Sequence, residues 1–457
     1  MNTTTKPFGY NTHRESDRKK MLKKLGMSSI ADLFKQIPSE VIIKRKLNLP
    51  DPLPEWQLEA QLRSLAEKNS TVLDYDSYLG GGAYQHHIPA VCDAVVGRSE
   101  FLTAYTPYQP EMSQGLLQAL FEFQKMMAAI LGLPAVNSSV YDGATALAES
   151  ATMLCRANNN KKILMAENVL IEWQEVINTY TQGRGIELIK IQHNLKTGQI
   201  DIDELENCLK KGSAAGFLVQ SPNVFGVIED IKHIAEVCHQ YKTLLSVSSN
   251  PIALGKFEAP GKLGADIVSC ETQPLGIPLN AGGPYLGSIA TRKKFEKYLP
   301  GRIVGQTTDI KGKRAFVLIK ESREQHVARE QATSNICTNQ ALLAVRAAVF
   351  LASLGEEGFK KFAEINYIKA HYLAKQITKI SGVRLLKTSD FFNEFLVALP
   401  INPEKFFMKM KKKKIFPGIY RNIKSKHTLL IAVTEVKSKE QLDYMANAFN
   451  KCLTKNN

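Results

Sequence analysis

The sequence predicts an α/β protein with a large, mostly parallel sheet followed by a smaller C-terminal α+β domain. Between roughly residues 160 and 290, short apolar runs alternate with amphipathic helical segments. Strand runs interleaved with helices imply parallel strands joined by crossovers and covered on both faces. Beyond about residue 340 the pattern turns to long helices and then a few strand-like runs. With 457 residues, 44% of them hydrophobic and 23% charged, the chain can fill two or three domain cores.

Taken in order, residues 1–100 read as an N-terminal arm. Short helical patterns such as Ser28 to Phe34 are punctuated by Pro50, Pro52 and Pro54. Such an arm wraps another surface, with a disordered tail the alternative for its first dozen residues. Residues 101–340 form the large domain. A helix starts after Ser113, placed as its N-cap, and its apolar stripe runs from Leu116 through Phe123 to Leu131. A second follows the turn Tyr141-Asp142-Gly143 and carries Ala144 to about Ala157. Strands are predicted at Ile163–Met165, Ile186–Ile191, Gly216–Val219, Leu244–Val247, Ile267–Val268 and Tyr285–Ala290, with helices at Asp201–Lys210 and Asp230–Tyr241. Residues 341–457 form the small domain, with helices Ala341–Leu354 and Phe359–Ile380, strands Val383–Leu386, Phe395–Leu399 and Leu429–Val433, and a last helix near Lys439–Phe449.

Composition excludes several function classes. No stretch approaches the roughly 18 apolar residues of a membrane helix, and the polar start has no apolar leader core. Seven cysteines, odd in number and without C-x-x-C spacing, argue against a disulfide framework and a zinc site and fit a reducing cytoplasm. The net charge of +15 includes a basic run at Lys409 and Lys411 to Lys414, but no aromatic interleaving or nucleic-acid module accompanies it. That run reads as a solvated face, and nucleic acid is not an expected partner. His86 and His87 lack a third ligand at metal spacing, so no metal is assigned.

No G-x-G-x-x-G or P-loop motif follows a first strand. Gly80-Gly81-Gly82 precedes the sheet and reads equally as a flexible turn or an active-site loop. Five segments, in order, resemble the glycine cleavage system P-proteins over nearly the whole chain. They are Ala104 to Glu111, Tyr141 to Glu149, Pro260 to Val268, Gly282-Gly283-Pro284, and Arg323 through Ala332 to Thr338.

This resemblance implies fold type I of the pyridoxal-phosphate (PLP) enzymes, the aspartate-aminotransferase-like fold. Such a site needs a lysine amine to hold the cofactor, a carboxylate to keep its ring nitrogen protonated, and a helix N-terminus for its phosphate. The strand expected to end in the carboxylate ends instead in Asn250-Pro251, and an amide carries no charge. The strand expected to precede the lysine runs on into Glu271-Thr272-Gln273-Pro274 without one. Lys256 and Lys262 lie in the connection between these strands and read as surface lysines. Asp142 stands at the N-cap position of the helix that would hold the phosphate and occupies its N–H groups, whether as an ordinary cap or as a repelling charge. Asp142, Asn250 and Pro274 thus mark a degenerate cofactor site, and no residue of this chain alone is assigned as catalytic.

The resemblance accordingly implies the separate N-terminal-type (alpha) subunit of a two-chain glycine dehydrogenase (decarboxylating). Its expected partners are a homologous lysine-bearing beta subunit, in an α2β2 assembly, and the lipoyl H-protein. The complete enzyme would bind glycine through PLP held mainly by the beta subunit, release carbon dioxide and pass the aminomethyl group to the lipoyl arm. Fold type I sites lie at subunit interfaces, so the retained segments supply candidate contributions: Tyr105 and Tyr108 around Pro107, then Arg323, His326, Asn335 and Thr338. For each, a structural tyrosine or a helix-surface residue is the plainer alternative. Cys337 is either nucleophilic or redox-sensitive, or an inert small hydrophobe. Two rival functions stand beside this one: a non-catalytic scaffold or regulatory pseudoenzyme, and a self-sufficient homodimeric PLP enzyme using Lys256 or Lys262.

Overall fold

The computed structural model describes residues 13–337, 339–421 and 427–454, in two compact units divided after Ser70. In the first unit, helices Glu15–Lys24 and Glu55–Ala66 and a 3-10 turn at Ile30–Phe34 bury no residue. Large apolar side chains including Met21, Phe34, Trp56 and Leu62 are exposed there.

The second unit is built on a seven-stranded sheet. Its strands in chain order are β1 (Ala135–Val136), β2 (Lys162–Ala166), β3 (Glu187–Ile191), β4 (Gly216–Gln220), β5 (Leu244–Ser249), β6 (Ile267–Glu271) and β7 (Gly287–Thr291). They lie side by side as β1-β7-β6-β5-β4-β2-β3. β2 to β6 are parallel, β7 is antiparallel to β6, and β1 is antiparallel to β7. The central strands are buried on both faces because helices cover both; every residue of β4 and β6 is buried.

Helix α1 (Gln114–Leu131) turns its Leu117, Phe123 and Met127 stripe inward and ends at Gly132 in the left-handed region. Ser113 occupies its N-cap position without a side-chain cap bond. Helix α2 (Gly143–Asn158) is different: every residue from Gly143 to Leu154 is buried, as expected of a helix enclosed on all sides. Its Ala-rich sequence lets neighbouring elements close in. Helices α3 (Ile171–Gln182), α4 (Ile202–Lys210) and α5 (Ile231–Gln240) cross between the parallel strands, the last two capped by Asp201 and Asp230.

The sequence reading missed a hairpin, β8 (Ile303–Thr308) with β9 (Arg314–Ile319). Long helix α6 (Ala341–Ile377) then runs from the large lobe to a small one, broken at Gly355, whose φ of 64° ends one helical segment before the next begins. Strands β10 (Arg384–Leu385), β11 (Glu394–Ala398), β12 (Ile419–Tyr420) and β13 (Thr428–Ala432) form a four-stranded antiparallel sheet in the order β10-β11-β13-β12. Helices α7 (Pro403–Lys411) and α8 (Lys439–Thr454) complete the small lobe. Residues 71–100 are woven into this unit: Asp76–Ser77 pair with Ile415–Phe416, and Tyr78 is wholly buried in the small lobe's core. Among the described residues no helix is long and apolar enough to cross a membrane.

One contact joins the lobes tightly. Gly226 has φ +80°, and a Cβ there would stand 2.0 Å from the Glu394 carbonyl oxygen. Gly226→Ala therefore combines left-handed strain of about 1–2 kcal/mol with a backbone clash. Urea denaturation is expected to show a loss of about 2 kcal/mol, and a neutral result would remove this contact from the lobe junction.

Candidate functional site

The carboxyl ends of β5 and β6 meet the N-terminus of α2, the place where open α/β sheets bind ligands. β5 passes into Asn250, whose side-chain oxygen accepts from Ile252 N–H at 3.0 Å and so caps the following turn. β6 ends at Glu271, with Thr272 to Pro274 following in place of a lysine. Asp142 accepts from Thr145 N–H at 2.7 Å, using one of the free donors of α2. A second donor, Gly143 N–H, is taken by Glu271 Oε2 at 2.9 Å. Glu271 Oε1 also accepts from Gln273 N–H at 2.8 Å and Leu286 N–H at 3.4 Å. Burial pushes the Glu271 carboxyl up to about 8, and the Asp142 charge at the same helix end adds to the shift.

The helix terminus is therefore filled by the protein's own carboxyls. The remaining space, about 20 Å³, lies among Gly82, Tyr84, Trp173, Ser248, Ser249, Asn250, Glu271 and Pro274. Roughly 10–15 Å³ suffices for one water, whereas small-molecule sites run to about 300 Å³ and more. Gly143 is also hemmed in, since a Cβ there would meet Glu271 Cβ at 2.6 Å and Trp173 at 2.8 Å. A phosphate would have to displace Glu271 and face Asp142. The residues present do not fit PLP.

Lys256 and Lys262 lie elsewhere. Lys256 pairs with Glu364 at 2.8 Å and stands over the Tyr367 ring, and Lys262 pairs with Glu258 at 3.1 Å. Both border an outer groove beside Gly355. Gly80-Gly81-Gly82 is a packed loop: Gly81 N–H donates to the buried Glu394 at 2.6 Å, and Tyr84 OH donates to the same carboxyl at 2.6 Å. His86 Nδ1 is 2.7 Å from Glu435. Among the described residues no cluster of three His, Cys, Asp or Glu could hold a metal ion.

A second constellation surrounds Arg302, which is 3% exposed. Its guanidinium donates to Asn339 Oδ1 at 3.1 Å, Thr106 Oγ1 at 3.2 Å and the Cys337 carbonyl at 3.3 Å, and lies 5.5 Å from the Tyr108 ring centre. Tyr108 in turn packs against His326 at 5.2 Å. Arg323 donates to the Leu299 carbonyl and, at 2.7 Å, to that of Gly301, holding the turn that carries Arg302. His326 lies 3.7 Å from Glu321 and 3.9 Å from Glu324. Tyr105 and Tyr108 are 78% and 50% exposed, and Asn335 and Cys337 are exposed too. Thr338 lies outside the described residues.

A family model described as glycine cleavage system P-protein matches residues 9–449. The chain belongs to that P-protein family. It is 43% identical over 440 residues to the probable glycine dehydrogenase (decarboxylating) subunit 1 of Oceanobacillus iheyensis, spanning 95% of this chain and 97% of that protein. A crystal structure of glycine decarboxylase (P-protein) of the glycine cleavage system, in inhibitor-bound form, superposes with a TM-score of 0.91 at 37% identity. That match covers 97% of this chain and all of the other. Glutamate decarboxylase of Lactobacillus brevis, at 12% identity and a TM-score of 0.68 over 92% of this chain and 97% of its own, shares the fold alone. The architecture is fold type I of the PLP-dependent enzymes.

Within this P-protein chain the structure separates the residues singled out from sequence into two places. Asp142, Asn250 and Pro274 converge on the plugged pocket. Tyr108, Arg323 and His326 gather around the Arg302 turn, and Tyr105 and Asn335 are exposed. Sequence reasoning missed Glu271, Trp173 and Arg302. Glu271 carried a signal, a carboxylate at the strand end where a lysine was sought.

Proposed function

We propose that this chain is the cofactor-free subunit 1 of a glycine dehydrogenase (decarboxylating), working with a homologous lysine-bearing subunit in the glycine cleavage system. The observation that carries this reading is the Glu271 carboxyl on Gly143 N–H, which closes the phosphate end of a fold type I site that also has Asn250 after β5 and no lysine after β6. The paired subunit holds PLP, which supplies the electron sink for loss of carbon dioxide from glycine. The complex then passes the aminomethyl group to the lipoyl arm of H-protein. This chain contributes one wall of the partner's site through the Tyr105 to Tyr108 turn, with Arg323, His326, Asn335 and Thr338 the further candidate contributors. The apolar side chains exposed on residues 13–70 support an arm that wraps another surface, and the assembly is α2β2. Seven free cysteines support a reducing cytoplasmic setting.

The self-sufficient alternative loses support because Lys256 and Lys262 are ion-paired away from the pocket. Borohydride reduction of the co-expressed two-subunit complex, followed by peptide mapping, tests the assignment. The expected outcome is one modified lysine, in the partner, and no visible lysine-bound cofactor band from this chain alone. A modified Lys256 or Lys262 would overturn the proposal.

A further inference from the structure

Resting on the reading that the Tyr105 to Tyr108 turn faces the partner's site, we propose that Arg302 is a positioning residue for the glycine reaction, fixing that turn against the segment that carries Cys337 and Asn339. The turn and the segment are far apart in sequence, and one guanidinium spans both, through Thr106 on one side and Cys337 and Asn339 on the other. The Arg302 carbonyl accepts from Ser138 N–H at 2.7 Å, so the clamp is anchored where the chain leaves β1.

The charge is costly where it sits. Arg302 is buried, and among the described residues no carboxylate oxygen lies within ion-pairing distance of it. Among the described residues its Nε, like Nδ2 of Asn339 and Oε1 of the buried Glu324 nearby, has no hydrogen-bond partner. A buried cation held by neutral oxygens is a poor way to gain stability, because its desolvation outweighs what such acceptors return. Geometry is what the planar fork provides: three acceptors and an aromatic face held at fixed angles, which a lysine ammonium cannot reproduce. The surface it braces carries the exposed hydroxyl rings of Tyr105 and Tyr108.

The test uses the co-expressed two-subunit complex with Arg302→Gln, Arg302→Lys, Thr106→Val, Tyr105→Phe and Tyr108→Phe. Assembly is followed by size-exclusion chromatography, and kcat and KM for glycine are measured separately. Arg302→Gln is expected to assemble and to lose roughly 10- to 100-fold in kcat/KM, the scale set by misplacement of about 1 Å. Arg302→Lys should keep the assembly while recovering only part of that loss. Unchanged kcat and KM in assembled Arg302→Gln overturn the positioning role. Should Arg302→Gln fail to assemble, Thr106→Val decides: a loss of turnover in intact complex supports the clamp, and unchanged kinetics overturn it. Tyr105→Phe and Tyr108→Phe separate the two levels. If they lower turnover while the Arg302 variants do not, only the positioning role fails; if neither tyrosine matters, the facing of this surface toward the partner's site fails as well.

Discussion

Glu271→Ala is expected to cost about 3 kcal/mol of stability, chiefly because three backbone donors lose their acceptor. Gly143, Gln273 and Leu286 N–H all point at this carboxyl, and it is buried. A buried donor left without a partner costs roughly 1–3 kcal/mol, and water entering the space vacated by the side chain would hold the sum to the low end of the range. Glu271→Gln keeps the shape and one oxygen but turns an amide N–H2 toward a backbone N–H. It should lose about 1–2 kcal/mol. Urea denaturation at constant pH measures both, and the ordering Ala worse than Gln is part of the prediction. An alanine variant within about 0.5 kcal/mol of wild type would mean that the carboxyl is incidental to the α2 terminus, and that the pocket is closed by Trp173 and packing alone.

What was legible in the sequence follows from the range of the interactions involved. β2 and β4 carry continuous apolar runs, Ile163 to Ala166 and Phe217 to Val219, and β5 and β6 shorter ones, because both of their faces are covered, and that signal is local. The break at Gly355 was legible as a gap between two helices. The β8–β9 hairpin was not, since its strands are half exposed and β8 ends in polar Gln306-Thr307-Thr308. Helix α7 was likewise hidden by the lysines on its outer face. At the site, the Asp142 cap was readable from the turn Tyr141-Asp142-Gly143, and the absent lysine from the family resemblance, which set the strand after which one was expected. The plug was not readable, because Glu271 reaches Gly143 across 128 residues of sequence and becomes a cap only after β6 is laid beside α2. Arg302 was invisible for the same reason: its partners Thr106 and Asn339 lie 196 and 37 residues away.

A second buried carboxyl makes stability depend on pH. Glu229 is 4% exposed and sits where the loops after β2, β3 and β4 converge. Its Oε1 accepts from Asn168 Nδ2 at 2.6 Å and Asn223 Nδ2 at 2.7 Å, and its Oε2 from Ile200 N–H at 3.0 Å. Burial outweighs these donors and raises its pKa from 4.5 to about 7, with the neighbouring Asp230 charge adding to the shift. Between those two values the folded chain retains a proton that the unfolded chain releases. Unfolding therefore becomes easier as pH rises through this window: the contribution is complete below about 4.5 and gone above about 7. A shift of this size corresponds to about 3 kcal/mol at roughly 1.4 kcal/mol per pH unit. Other carboxyls titrate in the same range, so the prediction is a difference between wild type and Glu229→Gln under identical conditions. The amide imposes a constant offset, from its N–H2 facing either Ile200 N–H or the two asparagine amides, and no titration of its own. Relative to this variant, wild type should lose about 3 kcal/mol between pH 4.5 and pH 7.5, read from urea midpoints, with the difference level on either side. A pH-independent difference would mean that Glu229 stays ionised in its ring of donors, and that the three amide N–H groups outweigh its burial.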